Sequence, residues 1–209
     1  MALTSGTTRR DAPRRAAMRR CRSGGLRKTQ ADIGWHSLIY AGKNENGEHK
    51  TEMTHPNAAL IERFYEAFQR RDVDAMAACY APDVTFSDPV FVALHGGEVT
   101  DMWRMLVSRA QEFTLAFSHV VADADSGSAH WVASYVFSQT GRTVVNQIDA
   151  RFVFRGGLIV EHRDRFDLWR WASQALGAKG ALLGWTPFVQ NAIRAQAKRG
   201  LAAFRAKAA

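Results

Sequence analysis

Gly156-Gly157 sits between two stretches in which residue type alternates, and a glycine pair can take the positive φ angles that a tight hairpin turn demands. The chain must therefore reverse here and pair with itself as antiparallel strands. In the strand that follows, Val160, His162, Asp164 and Phe166 share one face, while Glu161, Arg163, Arg165 and Asp167 share the other. The second face is a ladder of opposite charges suited to water. The first sets an imidazole and a carboxylate among apolar side chains, which is the composition of a pocket wall. The competing explanation is a His–Asp pair closed into the core.

The period of two extends well upstream. Phe113 to Ala122, His130 to Ser138, Thr143 to Phe154 and Leu158 to Leu168 read as strands, joined by turn-rich Asp125-Ser126-Gly127, Thr140-Gly141-Arg142 and Gly156-Gly157. Before them the spacing is helical. Asn57 is the expected N-cap of a first helix that buries Leu60, Ile61, Phe64, Tyr65 and Phe68 and ends at Arg70-Arg71. Asp72 caps a short second helix to Cys79, and Pro82-Asp83 stops it. Val84 to Asp88 is a short strand with Val84, Phe86 and Asp88 on one face, followed by a loop from Pro89 to Gly97. A third helix from Glu98 to about Gln111 buries Met102, Trp103, Leu106 and Val107. The fold class is α+β: three N-terminal helices packed on a strongly curved antiparallel sheet, with a cavity between the layers and a C-terminal helical extension.

Charge divides the chain into three. Residues 1–52 hold eleven Lys/Arg against five Asp/Glu, residues 53–172 eleven against fifteen, and residues 173–209 six against none. Basicity thus belongs to the ends, and no nucleic-acid surface is expected on the folded domain of residues 53–172. Residues 1–52 lack apolar periodicity and read as a disordered extension. Met53 directly precedes the first helix, so this extension is either the product of an early start codon or a tail, and its Arg-rich, acid-poor makeup also fits a targeting segment. In residues 173–209, Gly177 to Gly184 reads as a small-residue linker, and Thr186-Pro187 starts a helix. Its apolar stripe of Val189, Ile193, Ala197, Leu201 and Phe204 suits packing over the domain, with weak contact to an anionic membrane surface as the alternative. No apolar run reaches the roughly 20 residues of a membrane-spanning helix. Cys21 and Cys79 make no metal or redox spacing, so a reducing, cytoplasmic setting is expected. His55, His95, His119, His130 and His162 show no paired ligand spacing, and the glycine pairs at 96–97 and 156–157 lack a phosphate-loop pattern, so neither metal nor cofactor is expected.

Three motifs carry a family resemblance: the run from Tyr80 to Pro89 (Tyr-Ala-Pro-Asp-Val-Thr-Phe-Ser-Asp-Pro), His95-Gly96-Gly97 at a helix entry, and Gly157 to Asp167. Over about residues 57–170 the chain resembles the nuclear transport factor 2-like superfamily, which includes ketosteroid isomerases, limonene epoxide hydrolases and SnoaL-like polyketide cyclases. The resemblance implies a cone-shaped domain, and a homodimer. It puts Asp88 at the position of the isomerases' general base. Phe64 stands where those enzymes have a hydroxyl donor, and Ala150 or Asp149 where they have a second. Asp164 matches the last-strand acid of the epoxide hydrolases and cyclases, but Trp131 and Ala133 stand where the hydrolases have an Arg and an Asp. The resemblance thus implies neither complete apparatus.

From the residues themselves, Asp88, Asp164 and His162 are the candidate catalytic groups, Asp88 as base, Asp164 as acid or second carboxylate and His162 as its orienter. Phe86, Trp103, Trp131, Tyr135, Asn146, Ile148 and Phe166 are the candidate substrate-binding wall. Burial would raise a carboxylate's pKa toward neutrality and make it a usable proton acceptor. The structural explanation is that Asp88 caps the loop before Pro89 and Asp164 only pairs with His162. Two functions follow: a cofactor-independent acid–base enzyme (isomerase, cyclase or hydrolase type) acting on a small apolar molecule, or a non-catalytic ligand-binding or dimerisation module.

Overall fold

Pro56 opens helix α1 (Pro56–Gln69) at a position where its missing N–H is not needed. The structure, a computed structural model, describes residues 55–208, so the expectations for residues 1–52 lie outside the described residues. The N-cap is His55, whose Nδ1 accepts from the Asn57 backbone N–H at 3.2 Å. Asn57, expected as the cap, instead donates its side-chain amide to the carbonyls of Asp123 and Ala124 at 2.8 and 3.0 Å, tying the helix to a distant turn. Leu60, Ile61, Phe64, Tyr65 and Phe68 are buried, as the spacing predicts. Arg71 turns the chain at positive φ, and Asp72 caps α2 (Val73–Ala77) by accepting from the Ala75 N–H at 3.0 Å.

The remaining elements are β1 (Tyr80–Ser87), a two-residue β2 (Leu94–His95), α3 (Gly97–Arg109), β3 (Gln111–Ala122), β4 (Ser126–Phe137), β5 (Arg142–Arg155), β6 (Leu158–Arg165), α4 (Leu168–Leu176), α5 (Ala178–Leu183) and α6 (Pro187–Ala208). The sheet order is β2-β1-β6-β5-β4-β3. The last four strands form the expected antiparallel meander, but β1 lies parallel to β6, with Phe86 beside His162, so the sheet is mixed. Helices α1 and α3 fill the inner face of this six-stranded curved sheet. Phe64, Tyr65, Phe68 and Trp103 pack there against Trp131, Phe152 and one another.

Gly156 and Gly157 both take positive φ, 60° and 75°, and close the β5–β6 hairpin. The register then shifts: Ile159 pairs with Phe154, and Glu161 with Val153, which leaves Val160 as an extra residue on β6. This bulge corrects the expected alternation. Ile159, not Val160, shares the buried face with His162 and Asp164. Regular pairing continued from the turn would have turned Glu161 inward and both site residues outward.

Two further corrections concern the chain's end. β6 stops at Arg165, and Asp167 caps α4 by accepting from the Arg170 N–H at 3.0 Å. The expected linker is helix α5, which presses on α4 so tightly that a Cβ at Gly180 would lie 1.9 Å from the Ala172 carbonyl oxygen. The described residues form one unit, with α6 folded over the rest. Leu201 is buried, Ala197 and Phe204 pack on the core, and Arg205 bridges to Glu98 and Asp101 of α3, both at 3.0 Å. Among the described residues no helix is long and apolar enough to cross a membrane.

One buried group is unsatisfied. The Tyr65 hydroxyl has no hydrogen-bond partner among the described residues, although its ring stacks on Phe117. An orphaned buried hydroxyl costs about 1–3 kcal/mol. Tyr65→Phe should therefore raise the unfolding free energy, by roughly 1 kcal/mol in urea denaturation; a destabilised variant would mean that the hydroxyl has a partner in solution.

Candidate functional site

Between the inner face of the sheet, α3 and α6 lies a cavity of about 610 Å³. Phe86, Trp103 and Trp131 border it on the core side, with Tyr135, Asn146, Ile148 and Phe166 further along the sheet. Asp88 and Asp164 both open onto it, and His162 does not. Val189, Ile193 and Ala197 of α6 line the opposite wall. That helix is held there by Arg194, whose Nε donates to the Pro89 carbonyl at 2.9 Å, and by Gln196, whose amide meets the Gln139 side chain at 2.8 Å.

Asp88 follows β1 directly, because the strand hands over to a tight turn. Its Oδ1 accepts from the backbone N–H groups of Val90, at 2.6 Å, and Phe91, and its own N–H donates to the Phe91 carbonyl at 2.8 Å. The loop-capping role is thus real, but it occupies only Oδ1; among the described residues Oδ2 has no partner. By surface area Asp88 is only partly buried, yet the surface it keeps faces an apolar hollow rather than bulk water. Desolvation outweighs the two backbone hydrogen bonds, the charge of Asp164 adds to it, and the carboxyl is pushed up to about 7.

Asp164 is held differently. Its Oδ1 accepts from Trp131 Nε1 at 3.3 Å and lies 3.0 Å from His162 Nε2. His162 is fully buried, its Nδ1 is 2.7 Å from the Tyr80 hydroxyl, and that hydroxyl accepts from Trp103 Nε1 at 3.1 Å. An indole N–H can only donate, so the assignment that orphans no proton has Tyr80 donating to Nδ1 and Nε2–H donating to Asp164. His162 is therefore a buried orienter behind Asp164, not a group facing the cavity. Oδ2 of Asp164 has no partner among the described residues.

A second pair went unread in the sequence. Trp171, on α4, donates its indole N–H to the Tyr135 hydroxyl at 2.8 Å, and both side chains border the cavity. With that lone pair engaged, the phenolic proton of Tyr135 has no acceptor among the described residues. Burial raises the phenol's pKa, the Trp171 hydrogen bond lowers it, and the charge of Asp88, which lines the same cavity, raises it again. The cavity thus offers a proton acceptor, Asp88, and a hydroxyl donor, Tyr135, on the same space. Trp171 was missed because the strand pattern seemed to run on to Leu168; the cap signal at Asp167 was the available clue. Asp149 points away from the site and meets His130 at 2.8 Å. Among the described residues no three His, Cys, Asp or Glu side chains gather as a metal site would require.

The raised Asp88 carboxyl has a consequence for stability. A folded-state pKa near 7, against about 4 unfolded, favours the fold while the group is protonated, and that contribution is lost as pH rises from about 4 through 7. Asp88→Asn keeps the Oδ1 acceptor and removes the charge. Relative to this variant the parent chain should lose about 2–4 kcal/mol between those pH values, read as the difference between their unfolding midpoints across a pH series. Parallel profiles would show that Asp88 is solvated.

Residues 61–162 match the model of the SnoaL-like domain. A search of curated proteins finds no match. Among solved structures, the chain is similar to a limonene epoxide hydrolase-like epoxide hydrolase from M. tuberculosis, at 21% identity and TM-score 0.51, over 63% of this chain and 97% of that one. It is also similar to a polyketide cyclase-like protein from Xanthomonas campestris, at 24% identity and TM-score 0.50, over 57% and 96%. A third is a protein of ketosteroid isomerase-like fold from Catenulispora acidiphila in complex with trimethylamine, at 15% identity and TM-score 0.52, over 61% and 97%. At these identities the likeness concerns the fold. Residues 61–162, just under half of the chain, are similar to the SnoaL-like domain, and the strand order and helices around them have the nuclear transport factor 2-like fold of these structures.

Proposed function

We propose that the protein is a cofactor-independent acid–base enzyme that moves a proton on a small apolar molecule bearing a carbonyl group. The observation that carries this reading is a desolvated carboxyl, Asp88, raised to about 7 and opening onto the same apolar cavity as an uncommitted phenolic donor, Tyr135. Ionised Asp88 takes a proton from the carbon beside the carbonyl. Tyr135, oriented by Trp171, donates a hydrogen bond to the oxygen as negative charge develops there, the position at which such a donor is worth most. Asp164, fixed by Trp131 and His162, is the second carboxylate, which returns or relays the proton and shares the field that holds Asp88 up. The cavity's 610 Å³ suits a compact molecule of drug-like size or smaller. The Catenulispora protein's complex with trimethylamine is one case of a small ligand on this fold.

The second reading, a non-catalytic binding or dimerisation module, is favoured by the structural bonds already made by Oδ1 of Asp88 and of Asp164. Deuterium exchange separates the two. A panel of apolar ketones, enones and lactones is incubated with the protein in D2O and followed by mass spectrometry. The enzyme reading expects protein-dependent exchange that rises with pH through about 7, falls by roughly 10²–10⁴-fold in Asp88→Asn, and by about 10²-fold in Tyr135→Phe. Compounds that raise the melting temperature but never exchange would establish the module instead.

A further inference from the structure

Among the described residues, five large apolar side chains stand exposed within one short stretch. Phe188 is 83% exposed, Leu182 73% and Trp185 63%, with Trp169 and Leu183 beside them in sequence or space. The other exposed apolar residues of this size, Val92, Leu106, Val121, Val145 and Val153, are scattered over a loop, α3, β3 and the two halves of β5, as ordinary surface residues are. The cluster is built into the fold. α5 turns its glycine face to α4: a Cβ at Gly180 would strike Ala172, and one at Gly184 would meet Ala172 and Trp169. Leu182 and Leu183 are left on the side away from α4. Trp169 donates its indole N–H to the Ala181 carbonyl at 3.0 Å, and Trp185 donates to the Leu182 carbonyl at 3.1 Å. Both indoles are thereby fastened to α5 by their polar edge while their carbon edges stay exposed.

The charge around the cluster is mostly positive: the exposed carboxylate of Asp167 caps α4 two residues before Trp169, but no acid follows it. From Leu168 to Ala209 there are seven Lys/Arg and no Asp/Glu. Arg170 adjoins Trp169 on α4, and Lys179 begins α5 beside Leu182; both are exposed. Two copies meeting through this face would bring those like charges together. An anionic surface would neutralise them.

We infer that the knuckle formed by α4, α5 and the start of α6, tipped by Leu182, Trp185 and Phe188, is a docking surface for an anionic lipid bilayer. The apolar tip enters the headgroup–acyl boundary, the indoles sit at the level where tryptophan is favoured, and Arg170 and Lys179 meet lipid phosphates. This differs from the contact expected of α6, whose apolar stripe is spent on the cavity and the core. The docking surface and the cavity share elements. Trp169 faces outward and Trp171 borders the cavity on α4, and Phe188 faces outward while Val189 borders the cavity on α6. Docking would hold the helical wall of the cavity against a phase in which apolar molecules collect, and it stands whether or not the cavity is catalytic.

The test is co-sedimentation of the full chain with vesicles of phosphatidylcholine alone and of phosphatidylcholine with phosphatidylglycerol, at low and high salt. The parent chain should bind the anionic vesicles at least roughly tenfold more strongly than the neutral ones. A Leu182→Ser, Phe188→Ser double variant, which touches only exposed positions and leaves every basic residue in place, should weaken that binding by roughly tenfold or more. Binding by the double variant equal to the parent's would overturn the proposal, since the basic residues at either end would then suffice. So would light scattering that shows the parent chain self-associated through this face and the double variant monomeric, with vesicle binding unchanged.

Discussion

Trp131 and His162 aim their N–H groups at one oxygen of one buried carboxylate, and much of this molecule's organisation can be traced through that point. A buried carboxylate beside an imidazole packed among Phe64, Phe86 and Phe152 is costly unless it is hydrogen-bonded. The bonds that satisfy it come from β4 and β6, and the orienting chain continues through Tyr80 of β1 to Trp103 of α3. Four elements distant in sequence are therefore aligned by a single row of polar atoms through an otherwise apolar core. The same row leaves the second oxygen of Asp164 unclaimed by the described residues, so one arrangement both satisfies the core and leaves a polar atom free beside the cavity.

Dryness is the other shared resource. The Asp88 carboxyl is raised because burial keeps water from it, and α6 forms one wall of the cavity onto which it opens. The segment matching the SnoaL-like domain ends at His162, whereas Trp171 and the α6 wall lie beyond it. The strands and the turn after β1 supply the acids, Asp164 standing two residues past the matching segment, and the added helices supply the phenol's hydrogen-bond partner and the cover. A chemistry built on a desolvated carboxyl would thus draw on both parts.

Much of the architecture was legible because its signals are local. The strands of the meander announce themselves by period two, α1 and α6 by spacings of three and four, and the inward direction of Asn146 and Ile148 follows from alternation alone. What escaped reading depends on partners far away in the chain. Tyr80 and His162 are 82 residues apart, and nothing near either one reveals their bond. Asn57 has the composition of a cap but serves a turn more than sixty residues away. Gly180 reads as a flexible link because a sequence does not distinguish a glycine needed for mobility from one needed for close approach; here it is the second. The parallel pairing of β1 with β6 is likewise non-local, and the fold had to bring it into view.

The unpaired residue at Val160 bears on how this strand is to be compared with others. Facing along a strand is a matter of parity, and the bulge changes parity once between the hairpin tip and the acids. An alignment of this strand with an unbulged one that lacks an odd-length gap would assign Glu161 to the interior and turn Asp164 away from the cavity. By the same rule, the tip beyond Ile159 can lengthen or shorten by residue pairs and leave Asp164 where it is, while a change of one residue there would have to be absorbed by the bulge.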